Sequence, residues 1–384
     1  MPASVSDTVH SLCRQLPLHA FHAAHQAKMV PFAGWLMPIH YPLGVLGEHR
    51  HTRASAGLFD VSHMGQIRVR ARSGDPLDAA RALEAIFPAD LLDLPTGRQR
   101  YSFLTTETGG IVDDCMISNL GSCWYLVVNA ARTETDLAYL QTVLSSECRI
   151  ECLSDRTLLA IQGPMASAAL ERWVPQVSSM RFMDAAEFTV GAMECLITRS
   201  GYTGEDGFEL SLPVAGALDF AQRLVDQPGV ALAGLGARDS LRLEAGLCLY
   251  GQELSEATTP VEAALEWAIP PVRRTGGRRA AGFPGAQVIM AQLAHGPVHR
   301  RVGLRPTERP VRGGALLFAD GAAPTSLGRV TSGSFGPSAQ HPVAMGYVPA
   351  AYARPGTALF ADVRGQRTPV TVCALPFVAH RYHR

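Results

Sequence analysis

The chain has 384 residues, of which 47% are hydrophobic and 18% charged, and its formal net charge at pH 7 is zero. This much apolar material can build cores and excludes a disordered chain, while a zero net charge gives no support for a nucleic-acid partner. Lys28 is the single lysine, which excludes a phosphate-binding P-loop and leaves a poor candidate for a Schiff-base lysine.

The cysteines and the N-terminus predict a compartment. None of the eight cysteines forms a CxxC pair, and most lie in apolar runs, which predicts free thiols in a reducing compartment and no metal site. Residues 1–21 lack the continuous apolar region of a signal peptide, and no stretch is long and apolar enough to span a membrane. We therefore predict a cytoplasmic protein with no membrane or nucleic-acid partner.

The first half of the chain alternates short strands with a few helices. The pattern predicts a helix from residue 15 to Met29, broken by Pro31, and an amphipathic helix over 131–146 with leucines at helical spacing. Four short runs of alternating apolar residues, separated by turn residues, predict strands at 65–71, 100–105, 110–118 and 123–129.

The second half continues this pattern and then changes. It predicts strands at 157–164, 194–200 and 208–213, and helices near 165–173, 215–226 and 236–250. The gaps between strands are often too short for a helical crossover, so we predict an α+β fold with mostly antiparallel strands. Residues 298–378 are strand-rich with regular turns, which predicts a small β-barrel or sandwich.

Residues 270–285 contain proline, glycine and four arginines, which is typical of a linker or boundary loop. The arginines could dock an acidic protein, or they could simply be solvated.

Two consecutive aspartates, Asp113 and Asp114, interrupt the predicted strand at 110–118. Aspartate is depleted from strands and costly to bury without a partner. Strand neighbours point to opposite faces, so at most one of the two can face a given cavity. From the pattern alone, one aspartate could be solvated while the other caps a turn or pairs with an arginine.

Two further charged residues stand at unusual positions. Glu209 points away from the apolar face formed by Phe208, Leu210 and Leu212, so it could accept two N–H donors from an amidine-like ring such as a pterin, or it could lie in water at a sheet edge. Arg238 lies at the start of a predicted helix, where a cation is unfavourable without an anionic partner from protein or ligand.

Nine motifs follow one another along the chain and together carry a resemblance. The motifs are "KMVPFAGWLMPIHY" (28–41), "LFDVSHMGQI" (58–67), "GGIVDD" (109–114), "GYTGEDGFE" (201–209), "ARDSLRLEAGLCLYGQEL" (237–254), "TTPVEAALEWAI" (258–269), "FPGAQVI" (283–289), "GRVTSG" (328–333) and "VAMGYV" (343–348). With these motifs in this order, the sequence is similar to the T protein of the glycine cleavage system, a family of aminomethyltransferases that use tetrahydrofolate, and the resemblance covers nearly the whole chain.

The resemblance implies a reaction and a fold. A lipoyl-carrying H protein would present an aminomethyl group, and the enzyme would transfer its methylene to the co-substrate tetrahydrofolate, giving 5,10-methylenetetrahydrofolate and ammonia. The implied fold is a three-domain ring, or cloverleaf, with folate in a central channel. Residues 1–270 would form two interleaved domains, 271–290 a connection and 291–384 a C-terminal β-barrel. If the carrier docks on basic residues, the four arginines of 270–285 would have to provide them.

The resemblance also implies roles for particular residues. Asp114 would be the catalytic group, with Asp113 structural, and Glu209 would anchor the pterin. Arg238 and Tyr382 would contact substrate. The folate pocket would further be lined by Met64, Tyr101, Asn129 and Tyr202.

Two other functions are compatible with this superfamily. The chain could act in demethylation of another N-methyl donor, but such enzymes normally carry a flavin unit and this chain has no dinucleotide fingerprint. A non-catalytic folate-binding maintenance protein would rely on a cysteine in a K-G-C-Y-x-G-Q-E motif, whereas here the region reads "AGLCLYGQEL" with Cys248 displaced.

Overall fold

The computed structural model describes residues 13–384. In chain order, the strands of this part are β1 (Arg14–Gln15), β2 (Lys28–Phe32), β3 (Trp35–His40), β4 (Ala56–Asp60), β5 (Gly65–Ala71), β6 (Arg98–Thr105), β7 (Ile111–Asn119), β8 (Trp124–Val128), β9 (Cys148–Cys152), β10 (Arg156–Gln162), β11 (Ala185–Val190), β12 (Met193–Thr198), β13 (Gly207–Pro213), β14 (Val230–Leu232), β15 (His299–Pro306), β16 (Leu316–Phe318), β17 (Gly328–Gly336), β18 (His341–Pro349), β19 (Ala358–Val363) and β20 (Gln366–Cys373). The α-helices are α1 (His19–Ala24), α2 (Gly44–Ala54), α3 (Pro76–Glu84), α4 (Thr133–Leu144), α5 (Ala166–Glu171), α6 (Val214–Val225), α7 (Leu235–Glu244) and α8 (Ala286–His295).

The strands form three sheets and a closed barrel. The sheet orders are β1-β3-β2, β11-β12-β13-β10-β4-β14 and β6-β7-β8-β5-β9, and the barrel runs β15-β18-β17-β16-β19-β20. Within the described residues, the ladders are antiparallel except β1 with β3 and β14 with β4. The predicted α+β fold with mostly antiparallel sheets and a C-terminal barrel is confirmed.

The two larger sheets are interleaved along the chain. Strands β4 and β10 are neighbours in the six-stranded sheet, with Leu159 opposite Asp60, yet the whole five-stranded sheet is built from the chain between them. Each sheet covers its own apolar core, and a third core joins them where Phe59, Tyr125 and Leu196 pack with Leu241 of helix α7. Helix α7 therefore lies at the junction of the two sheets.

The helix predicted from residue 15 to Met29 is wrong over most of its length. Only α1 is helical, the chain turns at Gln26 with a φ of 58°, and Met29 lies in strand β2. Helices α2, α3 and α8 were not predicted, although α3 carries a start signal. Asp75 caps it by accepting the Leu77 N–H at 2.9 Å, and proline occupies its first position.

The arginines of 270–285 make ion pairs and hydrogen bonds and do not form a free loop. Arg273 is buried and donates to the Glu84 carboxylate at 3.2 Å and to the Glu84 carbonyl at 2.6 Å. Arg279 donates to the same carboxylate at 3.1 Å, and Arg278 pairs with Asp93. Arg273 and Arg279 thus fasten the connection to the end of helix α3, whereas the Arg278 side chain is 68% exposed. That these arginines receive the carrier stays a prediction.

The carboxylate of Glu244, at the end of α7, joins several elements. It accepts the N–H groups of Ser338 (2.7 Å) and Ala339 (3.0 Å) from the barrel, and pairs with His49 (3.2 Å) and Arg53 (3.1 Å) of α2. Burial alone would raise the pKa of Glu244, but the hydrogen bonds from His49, Ala339 and Ser338 outweigh it and lower the pKa from 4.5 to about 2.

We expect Glu244→Gln to lower the free energy of unfolding by about 3 kcal/mol at pH 7, because a lowered pKa of this size corresponds to that much stabilisation of the charged form. The contribution is complete above the unfolded-state pKa of 4.5 and is lost as pH falls towards 2. Denaturant unfolding of both proteins should therefore differ at pH 7 and converge in acid. Glu151→Gln, at an exposed pair with Arg70, is the control, and an equal loss there would contradict the assignment.

Candidate active site

A cavity of about 1290 Å³ lies at the centre of the molecule, between the sheets, helix α7, the barrel and the C-terminal tail. The eight residues predicted for the site come from strands β6, β7 and β13, from helix α7, from three loops and from the C-terminal tail. All of them line this cavity: Met64, Tyr101, Asp114, Asn129, Tyr202, Glu209, Arg238 and Tyr382. Their roles remain predictions, but the fold brings them to one place.

The two consecutive aspartates lie on opposite faces of strand β7. Asp114 lines the cavity, whereas Asp113 is 1% exposed and lies behind it. The Asp114 carboxylate accepts the Tyr101 hydroxyl at 3.0 Å on one oxygen and the Asn129 side-chain amide at 2.8 Å on the other. Asp114 is therefore fixed in position by two neutral donors.

The environment of Asp114 tunes its proton affinity. Burial raises its pKa from 3.8 to about 7, and a charge on Asp113 acts in the same direction, while the hydrogen bonds from Tyr101 and Asn129 oppose the rise. A carboxyl group with a pKa near 7 exchanges protons readily at neutral pH, which is the property required of a general acid or base.

A second polar group lies elsewhere on the cavity wall. In strand β13, Phe208, Leu210 and Leu212 are buried in the core, and Glu209 points into the cavity. Burial raises the pKa of Glu209, and the charge of Arg238 together with a hydrogen bond from Ser200 opposes the rise. The single hydrogen bond to the Glu209 carboxylate within residues 13–384 is that from Ser200 at 3.4 Å, so acceptor capacity remains for a ligand.

Arg238 completes this group. Its guanidinium carbon lies 4.6 Å from the centre of the Tyr202 ring, and within residues 13–384 the guanidinium donates no hydrogen bond. Burial lowers its pKa, with the charge of Glu209 opposing. A carboxylate, a planar cation and an aromatic face in one pocket fit a flat ring with amidine-type donors, such as the pterin of tetrahydrofolate.

The C-terminal tail brings Tyr382 to the cavity. The Tyr382 ring stacks on Phe182 with centroids 4.0 Å apart and an angle of 5° between planes. Main-chain bonds hold the tail on both sides, from Arg381 N to Gly204 O at 2.8 Å and from Phe182 N to His383 O at 2.6 Å. Tyr382 is thus placed by long-range contacts rather than by a local motif.

Several cavity residues were not predicted. Trp267 stacks on Tyr101, the residue that donates to Asp114, with ring centroids 5.4 Å apart. Trp267 is 61% exposed, so this ring also faces solvent. His63 lines the wall, and burial lowers its pKa to about 3, which keeps the imidazole neutral. His63 lies in the "LFDVSHMGQI" motif and Trp267 in "TTPVEAALEWAI". Those motifs could have pointed to them, whereas Phe182 had no sequence signal.

A family with this fold and site is identified by comparison with known proteins. Residues 18–272 match the GCVT N-terminal domain, and residues 299–379 match the glycine cleavage T-protein C-terminal barrel domain. The mitochondrial aminomethyltransferase of Dictyostelium discoideum is 40% identical to this chain, and the match covers 97% of this chain and 94% of that protein. The mitochondrial aminomethyltransferase of Homo sapiens is 43% identical, and the match covers 96% of this chain and 91% of that protein. The crystal structure of glycine cleavage system aminomethyltransferase T from Bartonella henselae has a TM-score of 0.90 and 45% identity, covering 97% of this chain and 99% of that one.

The fold, the site and these matches define a group-transferring enzyme that acts on folate. The chain belongs to the glycine cleavage T-protein family. The predicted aminomethyltransferase activity and the predicted use of tetrahydrofolate as co-substrate are thereby confirmed, and the two alternative functions are not favoured.

The predicted cytoplasmic location is wrong by the same comparison, because the Dictyostelium, chicken and human relatives are all named mitochondrial. Free thiols indicate only a reducing environment and do not distinguish the cytoplasm from the interior of an organelle. The N-terminal stretch that was considered for a leader lies partly in residues 1–12, outside the described residues. None of the helices in residues 13–384 is long and apolar enough to cross a membrane.

We expect Tyr101→Phe to raise the pKa of Asp114 above about 7, because it removes a donor that stabilises the ionised carboxylate. The pKa can be followed by NMR titration of carboxyl-labelled aspartate, with Asp114→Asn identifying the signal. Tyr139→Phe, which removes a hydroxyl from helix α4 outside the cavity wall, serves as control. An unchanged Asp114 titration in Tyr101→Phe would show that this hydrogen bond does not tune the site.

Proposed function

We propose that this chain transfers the methylene of an aminomethyl group from the dihydrolipoyl arm of an H protein to tetrahydrofolate, with Asp114 as the catalytic residue. The observation that carries the proposal is a titratable carboxylate held by Tyr101 and Asn129 in the same cavity as the Glu209–Arg238 pair. The Bartonella henselae protein is named for the glycine cleavage system, which supports a lipoyl carrier as the donor.

The reaction requires proton movements that a group such as Asp114 can make. Tetrahydrofolate gives up two N–H protons when its nitrogens bond to the methylene carbon, and the carbon leaves both the carrier sulfur and the amine nitrogen. One proton leaves with ammonia and the other on the carrier thiol. When ionised, Asp114 can accept a proton from the attacking amine, and when protonated it can return one to the departing group.

We assign binding roles to the other residues that line the cavity. Glu209 and Arg238 would anchor the pterin, with the carboxylate accepting its N–H donors. Tyr101, Tyr202 and Met64 would flank the flat ring system, and Tyr382 would close the pocket from the tail. Asn129 would hold Asp114 rather than the ligand, since its amide already donates to that carboxylate at 2.8 Å.

The same proposal includes the division of the chain: residues 1–270 as two interleaved folate-binding domains, 271–290 as a connection and 291–384 as the barrel domain. The interleaving of the β4–β10 sheet with the five-stranded sheet supports it. A cavity enclosed by all of these units is a common position for an active site.

We expect Asp114→Asn to reduce methylenetetrahydrofolate formation from an aminomethyl-loaded carrier by about 100-fold or more, the usual contribution of a general acid–base group. The assay is release of ammonia from the loaded carrier with and without tetrahydrofolate, and the parent protein should release it faster when tetrahydrofolate is present. Asp219→Asn, at an exposed pair with Arg223, makes the same chemical change at the surface and should retain the parent rate. Full activity of Asp114→Asn would contradict its assignment.

We expect Glu209→Ala to weaken tetrahydrofolate binding by roughly 2 kcal/mol, because it removes an ionised acceptor from charge-assisted hydrogen bonds. Calorimetric titration measures this directly, without turnover. The matched control is Glu187→Ala, which truncates an exposed glutamate in strand β11 of the same sheet. Equal affinity in Glu209→Ala and Glu187→Ala would remove Glu209 from the pterin site.

A further inference from the structure

A pair of buried carboxyl groups lies directly behind Asp114, outside the cavity lining. Asp113 belongs to strand β7 and is 1% exposed, and Asp136 belongs to the first turn of helix α4 and is 0% exposed. A side-chain hydrogen bond between the two carboxyl groups raises the pKa of Asp113 and lowers that of Asp136. In the part of the chain that the structure describes, no N–H or hydroxyl group donates to either oxygen of Asp136.

Asn129 connects this pair to Asp114. Its side-chain amide donates to an Asp113 oxygen at 2.9 Å and to an Asp114 oxygen at 2.8 Å, and its main-chain N–H donates to the other Asp113 oxygen at 3.0 Å. A side-chain amide carries two N–H bonds, so one is available for each aspartate. The orientation of the Asp114 carboxylate therefore depends on the group that holds Asn129 from behind.

The contact between Asp113 and Asp136 requires a proton. An ionised carboxylate has acceptors only, so two ionised groups in contact would repel each other in this buried site. With one proton between them, the protonated group donates to the other, and the oxygens of Asp136 gain the donor that they otherwise lack.

The surroundings decide which group holds the proton. Asp136 lies in the first turn of a helix, where the helix dipole favours a negative charge, and the charge of Arg132 acts on it in the same sense. Burial together with the charge of Asp136 raises the pKa of Asp113, and this rise outweighs the opposing effect of the two N–H donors of Asn129. The arrangement favours a neutral Asp113 and an ionised Asp136.

We propose that Asp113 and Asp136 share one proton, carried by Asp113, and that the pair positions Asp114 through Asn129 while keeping a second negative charge away from it. This inference concerns a positioning role and rests on the proposed function of Asp114. The other ionisable groups that interact with the three aspartates are Tyr101, Cys115, Arg132, Tyr202, Cys248 and Tyr250.

The shared proton can be detected without turnover. In an Asp114→Asn background, infrared spectra at pH 7 should contain the carbonyl band of a buried protonated carboxyl group, and adding Asp113→Asn should remove it. Other buried acids, such as Glu209, are unchanged between the two proteins and cancel in the difference. Absence of this difference band would overturn the proposal, whatever the activity of the enzyme.

The pH dependence of the transfer rate tests which aspartate carries the proton. In Asp136→Asn, the negative charge that favours a protonated Asp113 is removed, so Asp113 ionises on the donors of Asn129 and a charge moves next to Asp114. The apparent pKa of the acid limb should then rise by about one unit. In Asp113→Asn a neutral side chain replaces a neutral carboxyl group, so the apparent pKa of the acid limb should shift by less than about 0.3 unit.

The opposite pattern would overturn the assignment. If Asp113 carries the charge, Asp113→Asn should lower the apparent pKa and Asp136→Asn should leave it in place. If both variants lose rate equally and the apparent pKa of the acid limb does not change, the pair has a purely structural role, which would also contradict the proposal. If the parent profile lacks an acid limb, the proposed role of Asp114 fails, and the infrared measurement still decides on the shared proton. Asp219→Asn controls for the loss of one aspartate.

Discussion

The buried carboxylate of Glu244 is the constraint on which the shape of the cavity depends. Its side chain binds helix α2 through His49 and Arg53 and the barrel through the N–H groups of Ser338 and Ala339. Its carbonyl oxygen accepts the N–H groups of residues 377 and 378 at 2.9 and 3.0 Å, where the tail begins. One residue at the end of α7 thus joins an N-terminal helix, the barrel and the tail, and α7 also carries Arg238 into the cavity.

A second buried ion pair makes the same junction from the cavity side. Arg242, in the last turn of α7, donates to the Glu253 carboxylate at 2.8 Å and to the Ser332 hydroxyl of the barrel at 2.7 Å. The other oxygen of Glu253 accepts the Thr331 hydroxyl at 2.6 Å. Because both charged side chains are buried, removing either Arg242 or Glu253 would leave the other charge poorly compensated. The barrel is therefore held against α7 by polar contacts that specify its orientation.

What the sequence could predict was local. The alternation of faces in β7 and β13 follows from strand geometry, and it separated Asp113 from Asp114 and Glu209 from its apolar neighbours. The position of Tyr382 depends on stacking with Phe182, two hundred residues earlier in the chain, and no local pattern contains that contact.

Helix α2 was missed because glycine, histidine and threonine in "GVLGEHRHTRA" are weak helix formers, and its buried face consists of Glu48, His49 and Thr52 rather than apolar side chains. The composition of 270–285 indicated a solvated loop because the acidic partners of its arginines, Glu84, Asp90 and Asp93, lie far away in sequence.

The two carboxylates of the cavity differ in the kind of partner that surrounds them, and this difference supports the separate tasks that we propose for them. Asp114 is held by a hydroxyl and an amide, both neutral, so burial is not offset by a cation and its pKa rises to about 7. Glu209 lies near the guanidinium of Arg238, whose positive charge favours the ionised form of that glutamate. A carboxylate beside a cation is suited to holding donors of a ligand, and one without a cation is suited to exchanging protons. The placement of Arg238 on the side of Glu209, and of two neutral donors on Asp114, is therefore the basis on which we propose ring anchoring for Glu209 and proton transfer for Asp114.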